Sequence, residues 1–262
     1  MTTPEGAARV WSRYLSRINL QEILLRAVIL AGGKGVRLAP LTDVIPKPLV
    51  PIGGMPIIEI VIRQLRRYGF HRITLAVGYM AKLIQAYFQD GSKMGVEIDY
   101  SYEPQPLGTA GPLSLIKNLD STFLVMNADV LTNINLEEFF KHHKSHGGIA
   151  TIGAFERQVT IDLGVIVANG QGRIQDYVEK PSSSHLVSMG IYMFEPQVLQ
   201  FIKREQYLDF PDLVKIFLGQ GIPVHYYLFK GYWLDIGRHE DYAKAASEFE
   251  TLQREYGFLN EA

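Results

Sequence analysis

An uninterrupted apolar run at residues 27–31 (Ala-Val-Ile-Leu-Ala) feeds straight into Gly32-Gly33-Lys34-Gly35, and this junction constrains the fold of the chain more than any other feature. A strand that is apolar on both faces must be covered on both, the situation of a parallel sheet with helices above and below it. The pattern downstream agrees. Pro56 can open a helix in which Ile58, Val61, Ile62 and Leu65 recur at helical spacing, and Gly69 can end it. Strands are predicted over 72–77, 96–102, 122–126 and 149–155, with helices over 81–89, 110–117 and 136–145. This βαβα order predicts an α/β fold with a doubly wound, mostly parallel sheet, and loops carrying chemistry at the carboxyl ends of its strands. The second half is richer in short strands, at 165–168, 172–178 and 186–194, with 181–184 as a loop. A helix at 211–218, a strand at 224–229 and a final helix from 241 to about 254 complete the pattern. No internal repeat is present, and no hexapeptide periodicity, so no appended β-helix domain is expected.

Residues 1–26 stand apart. Trp11, Leu15, Ile18 and Leu25 recur at roughly helical spacing, with Arg9, Arg13 and Arg17 on another face, which predicts an amphipathic N-terminal helical extension packed on the body or on another subunit. At 262 residues and 47% hydrophobic, the chain can bury the core of a single α/β domain. The net charge of −1 argues against bulk nucleic-acid binding. The absence of cysteine excludes disulfides and thiolate metal sites. No apolar run reaches the roughly 20 residues of a membrane span, and no secretory h-region is evident. A cytoplasmic location is the resulting expectation.

The glycine turn lacks the third glycine of a dinucleotide fingerprint, and no P-loop motif occurs. Glycines let a backbone approach a ligand closely and aim N–H groups at anionic oxygens, while Arg37 and Lys47 add full charges. Lys47 is held between Pro46 and Pro48 on a stiff backbone. Asp129 follows the strand ending at Met126, placed either to meet a ligand or to cap a helix. Asp235, in Trp233-Leu234-Asp235-Ile236-Gly237, is an acid among large apolar residues. Two such carboxylates can share one Mg²⁺ together with substrate phosphates, although spacing does not show whether these two meet. Glu179-Lys180-Pro181 reads equally as a solvent-facing ion pair or, with Gly164 and Gly190, as the lining of a small polar pocket. His142, His143 and His146 are expected to be solvated on a polar helix.

LAGGKGVRLAPLT, PKPLVPIGGMPII, EPQPLGTAGPL, NADV, VEKP, GIYMF and GYWLDIGRHEDY stand in the order found in sugar-1-phosphate nucleotidylyltransferases, which the chain resembles from about Ala27 to Tyr242. The resemblance implies a Rossmann-like fold with a smaller β-rich sugar-binding part, so that residues 27–262 form a single nucleotidyltransferase domain. It also implies a Mg²⁺-dependent reaction that makes an NDP-sugar and pyrophosphate from an NTP and a sugar 1-phosphate, in a homo-oligomer that binds neither nucleic acid nor membrane. Carried over by position, Leu30, Gly32 and Gly33 would contact base and ribose through backbone. Gly35 and Arg37 would cradle the triphosphate, Lys47 would lie by the reacting phosphates, and Gly108 would belong to the base-recognition loop. Asp129 and Asp235 match the metal ligands, Gly164, Glu179 and Gly190 the sugar contacts, and Lys180 the contact to the sugar's phosphate.

Departures are modest: Val36 stands where Thr is usual, Ala128 where Gly is, and Ser188-Met189 where Asn-Ala is. The EPQPLGTAGPL segment is most similar to the guanylyltransferase branches, implying GTP with a mannose-, heptose- or aminosugar-like 1-phosphate. Uridylyl, thymidylyl and cytidylyl transfer stay open. A metal-dependent glycosyltransferase would usually present Asp-x-Asp where Asn127 begins this motif. A non-catalytic nucleotide-sugar-binding regulatory subunit would be expected to have lost Arg37, Lys47 or one of the two acids.

Overall fold

The fold is given by a computed structural model in which residues 25–256 are described. In chain order the elements are β1 (Arg26–Ala31), α1 (Leu41–Val44), β2 (Pro51–Ile52), β3 (Met55–Pro56), α2 (Ile57–Arg67), β4 (Arg72–Val77), α3 (Ala81–Phe88), β5 (Glu97–Tyr102), β6 (Phe123–Asn127) and β7 (Val130–Thr132). They continue with α4 (Leu136–His146), β8 (Ala150–Thr160), β9 (Gly164–Ala168), β10 (Ile174–Glu179), β11 (Ser182–Phe194), α5 (Phe210–Gly219), β12 (His225–Phe229), β13 (Trp233–Asp235) and α6 (His239–Tyr256). A seven-stranded sheet in the order β12-β8-β11-β6-β1-β4-β5 forms the centre. β1 is parallel to both β4 and β6, β4 to β5 and β12 to β8, while β11 runs antiparallel to β6 and β8. The expected mostly parallel α/β sheet is therefore present. The helix expected on Trp11, Leu15 and Ile18 lies outside the described residues, whereas Leu25 is buried and Arg26 already opens β1.

β1 shows why the opening run had to be apolar throughout. Ala27, Ile29 and Ala31 pack with Ile58, Val61, Ile62 and Leu65 of α2 and with residues of α3 and α4 on one face. Val28 turns to the other face, where Leu213 and Phe217 of α5 lie. A third cluster joins Leu38, Ile52, Ile57, Leu131, Leu234, Ile236 and Phe249 beneath the loops at the carboxyl end of the sheet. Leu234 and Ile236, flanking Asp235, are thus core residues that fix where that acid sits.

Three local expectations are corrected. Residues 110–117 form only a five-residue 3₁₀ turn, Gly111–Leu115, because Ala110 and Gly111 give their N–H groups to Leu208 O (2.9 and 3.0 Å), tying that segment to another part of the chain. The loop expected at 181–184 is largely strand: Ser182–Ser184 pair with Gln158–Thr160, so β11 is 13 residues long. The histidines of α4 are not all solvated. His143 is 1% exposed, with Nδ1 2.7 Å from Thr151 Oγ1 and Nε2 3.2 Å from Glu195 Oε1. No helix among the described residues is long and apolar enough to cross a membrane.

Candidate active site

At the carboxyl end of β1 the chain enters the glycine turn. Gly35 has φ 66, and a Cβ there would fall 2.8 Å from Lys47 Cβ, so only glycine lets the turn lie against the Pro46-Lys47-Pro48 segment. Thr42 Oγ1 donates to Gly35 O (3.0 Å) and fixes the turn from below. Arg37 follows in a short 3₁₀ turn, and its guanidinium lies flat against Gly237, where a Cβ would be 3.3 Å from both Nη atoms. Leu30, Gly33, Gly35, Arg37, Lys47 and Asp129 line one cavity of about 260 Å³. Residues far apart in sequence therefore meet where chemistry is expected in such a sheet.

Asp129 leaves β6 through Ala128, whose N–H donates to Leu30 O (3.1 Å). Ala128 does not adopt positive φ, so its side chain is tolerated there. Asp129 does not cap a helix. Its Oδ2 pairs with Lys47 Nζ, and its Oδ1 is buried with no hydrogen-bond partner. The β7–β13 hairpin then brings Asp235 alongside. Asp235 is paired in register with Val130, and Ile236 N–H donates to Asp129 O (3.0 Å). Burial and the negative charge of Asp129 push the Asp235 carboxyl up, with Lys47 and Arg37 opposing. Sequence spacing left the meeting of these acids open; the hairpin decides it. Asp235 lines a neighbouring cavity of about 450 Å³ that shares Arg37 and Gly237 with the first and adds Phe155, Arg157 and Trp233. A larger cavity of about 530 Å³ lies at the opposite, amino end of β1, β4 and β5. Its charged residues are largely paired with one another, Arg26 with Asp99 and Arg72 with Glu97.

The remaining candidates lie around this centre. Gly32 accepts from Tyr79 N–H (3.1 Å) and packs against Glu103. Gly108, at φ 80, is moulded onto the backbone of Leu208. Gly190, at φ 72, sits where β11 breaks register with β8 and abuts Asn127 at the end of β6. Gly164 and Glu179 are partners on the β9–β10 hairpin, and Lys180 pairs with Asp162 (2.6 Å) rather than with Glu179. Neither cavity is lined by Gly164, Glu179, Lys180 or Gly190. Sequence reading passed over Gly237 and Glu103. Gly237 closes the WLDIG motif and could have been found by asking what a bulky cation such as Arg37 must lie against.

The sequence profile of the family described as nucleotidyl transferase matches residues 26–251. The chain belongs to the nucleotidyl transferase family. Among curated relatives of this family member, "UTP--glucose-1-phosphate uridylyltransferase" of Synechocystis sp. is 36% identical over 84% of this chain and 62% of its own length. "Mannose-1-phosphate guanylyltransferase 1" of Arabidopsis thaliana is 36% identical over 83% of this chain and 63% of its own. The chain thus spans somewhat under two thirds of these relatives. Among solved structures, HddC from Yersinia pseudotuberculosis superposes with TM-score 0.66 at 26% identity, covering 86% of this chain and 99% of that one. The same protein complexed with GMP-PN gives TM-score 0.64 at 25% identity over the same shares of the two chains.

Proposed function

We propose that this chain transfers a nucleotidyl group from an NTP to a sugar 1-phosphate, giving an NDP-sugar and pyrophosphate. The observation that carries the reading is the meeting of Arg37, Lys47 and Asp129 in one cleft with Asp235 on its rim. A phosphate monoester, with its second pKa near ~6, is already nucleophilic at neutral pH and needs no general base. Its oxygen attacks the α-phosphorus in line, the new P–O bond forms, and the bond to the β-phosphate oxygen breaks with pyrophosphate leaving. What such a reaction needs is alignment of two anions and compensation of charge on the leaving group. The glycine backbone from Gly32 to Gly35 approaches the triphosphate, Arg37 faces the leaving pyrophosphate, and Lys47 lies by the reacting phosphates. Glu179, Lys180, Gly164 and Gly190 serve the sugar phosphate, and Leu30 and Gly108 the nucleoside.

Asp129 and Asp235 suit Mg²⁺, because they offer hard carboxylate oxygens and one of these, Asp129 Oδ1, is buried without a partner. When bound, Mg²⁺ supplies charge neutralisation at the phosphates. Lys47, already paired with Asp129 Oδ2, keeps that carboxylate oriented. For the base and sugar, our reading is GTP with a mannose-, heptose- or aminosugar-like 1-phosphate, supported by the guanylyltransferase relative and the GMP-PN complex of HddC. The uridylyltransferase relative supports UTP as the second reading. We also read the protein as a cytoplasmic homo-oligomer. A pyrophosphate-release assay crossing four NTPs with a panel of sugar 1-phosphates tests the activity. At least one pair is expected to release pyrophosphate, and silence across the whole panel overturns the reading.

A further inference from the structure

A cation that no role above uses lines the cavity beside the cleft. Arg157 stands there with Phe155, Trp233 and Asp235. Phe155 and Arg157 are two apart on β8 and share a face, with Val187 and His185 opposite them on β11. The acid of this ribbon is on the other face: Glu156, between them in sequence, accepts from Ser184 Oγ (2.5 Å). Strand alternation therefore keeps Glu156 away from Arg157. Asp235, Glu240 and Asp241 also line the cavity, and none of them forms an ion pair with Arg157. Among the described residues the Arg157 side chain has neither a hydrogen bond nor an ion pair. The arginines of the amino-end cavity, by contrast, are matched to Asp99 and Glu97. Arg157 thus offers a permanent charge and five N–H donors to whatever enters.

The wall between Asp235 and Arg157 is aromatic. The Phe155 and Trp233 rings meet at 5.3 Å, tilted by 38°, and Trp233 Nε1–H donates to Met189 O (3.0 Å), which fixes the indole. Trp233 and Asp235 are two apart on β13, as Phe155 and Arg157 are on β8, and each such step is about 7 Å. Asp235, Trp233, Phe155 and Arg157 therefore follow one another along the cavity. Its Asp235 end shares Arg37 and Gly237 with the first cavity, where the reacting phosphates belong, and Arg157 marks the far end. Ring faces between two polar ends suit a molecule with an apolar middle and an anion at each end.

We propose that Arg157 selects the sugar: a sugar 1-phosphate that bears a second acidic group, carboxylate or phosphate, on the side of the ring remote from the anomeric carbon. This rests on the transferase reading of the adjoining cleft. With the 1-phosphate at the Asp235 end, the C–H face of the ring lies along Phe155 and Trp233 and the distal acid meets the guanidinium. Carboxylate and phosphate both pair with a guanidinium through two parallel N–H···O bonds. A sugar with a neutral hydroxyl there makes no such pair and gains little from the charge. Sites built to hydrogen-bond a substrate group discriminate in this way against the analogue that lacks it.

The test is equilibrium binding of a hexose 1-phosphate, a hexuronic acid 1-phosphate and a hexose 1,6-bisphosphate to the full chain, with a non-hydrolysable NTP analogue present. Pyrophosphate release is measured alongside for the wild type, Arg157→Gln and Arg157→Lys, with melting curves as the control for folding. The wild type is expected to favour one of the two acidic sugars over the neutral one by roughly 10- to 100-fold, the range for hydrogen bonds to a charged group. Which acidic sugar it favours tells carboxylate from phosphate. Arg157→Gln should bring the acidic sugar down to the neutral one and leave the neutral one where it was, and Arg157→Lys should keep part of the preference. A wild type with no preference for either acidic sugar, or a preference that survives in folded Arg157→Gln, overturns the assignment. Acid preference in binding without pyrophosphate release would instead overturn the transferase reading and leave Arg157 as the reader of the acid.

Discussion

Asp129 joins a paired oxygen to an orphaned one: Oδ2 bound to Lys47, Oδ1 buried with nothing to accept from. Such an arrangement lowers stability and persists where function needs it. Asp235 beside it carries the same tension as a raised pKa, caused first by burial and then by Asp129. The folded state thus holds the Asp235 proton to higher pH than the unfolded chain does. Between the two values the unfolded chain binds fewer protons, so ionisation of this residue removes stability as pH rises through that interval, and the loss persists at neutral pH. Replacing it with a neutral amide should relieve that loss. Asp235→Asn is therefore expected to raise the melting temperature at neutral pH while lowering kcat by roughly 10²- to 10³-fold, the range for removing one preorganised electrostatic group. Asp129→Asn should lower kcat at least as far. Near-normal turnover in both variants would remove the metal-ligand assignment. The acids themselves were legible in the sequence as a strand-end Asp and an Asp among large apolar residues. Their meeting was not, because it depends on the hairpin register that sets Asp235 opposite Val130.

Among the elements, those with strong periodicity were readable nearly to the residue. α2 buries Ile58, Val61, Ile62 and Leu65 as their spacing required, and β4 occupies the predicted span. α4 owes its start to Asn135, whose Oδ1 accepts the N–H groups of Glu137 (3.0 Å) and Glu138 (3.1 Å). Loss of an N-cap side chain costs about 1 kcal/mol. Asn135→Ala should therefore lower stability by about that amount in urea titration with kcat unchanged, since α4 supplies no residue to the cleft. A drop in kcat as well would mean that α4 is coupled to the site. The outer half of β11 was not readable, because Ser182-Ser183-Ser184 has no strand propensity of its own. Pairing with β8, including the Thr160–Ser182 hydroxyl contact at 2.7 Å, imposes the extended form. The 3₁₀ turn at Gly111–Leu115 likewise answers to Leu208, nearly a hundred residues away.

At the scale of the whole molecule, acid should act through the join between α4, β8 and β12. His146 stacks on His225 (3.7 Å between ring centroids), accepts the Gly148 N–H at Nδ1 (2.9 Å) and places Nε2 2.7 Å from Thr151 Oγ1. Burial, then the neighbouring His225, His143 and His142, hold its pKa down to about 4. The unfolded chain takes that proton near 6.5, so stability falls as pH drops from 6.5 towards 4. Burial raises the Glu195 carboxyl, but hydrogen bonds from His143, Lys144 and Thr122 outweigh it and bring the pKa to about 2. Its contribution, present above about 4.5, is lost below that. Urea midpoints should therefore decline from pH 7 to pH 4, and His146→Asn should flatten the upper part of that decline. An unchanged slope would show that other groups govern it. The sequence by itself determined the alternation of strands and helices, the two-sided cover of β1 and the glycine–cation–acid inventory, because periodicity and residue chemistry are local properties. Only the tertiary structure decided that Arg37 lies on Gly237, that Lys47 meets Asp129 and that Glu103 faces Gly32. Those are contacts between segments brought together by the core, and no local pattern encodes the distance across it.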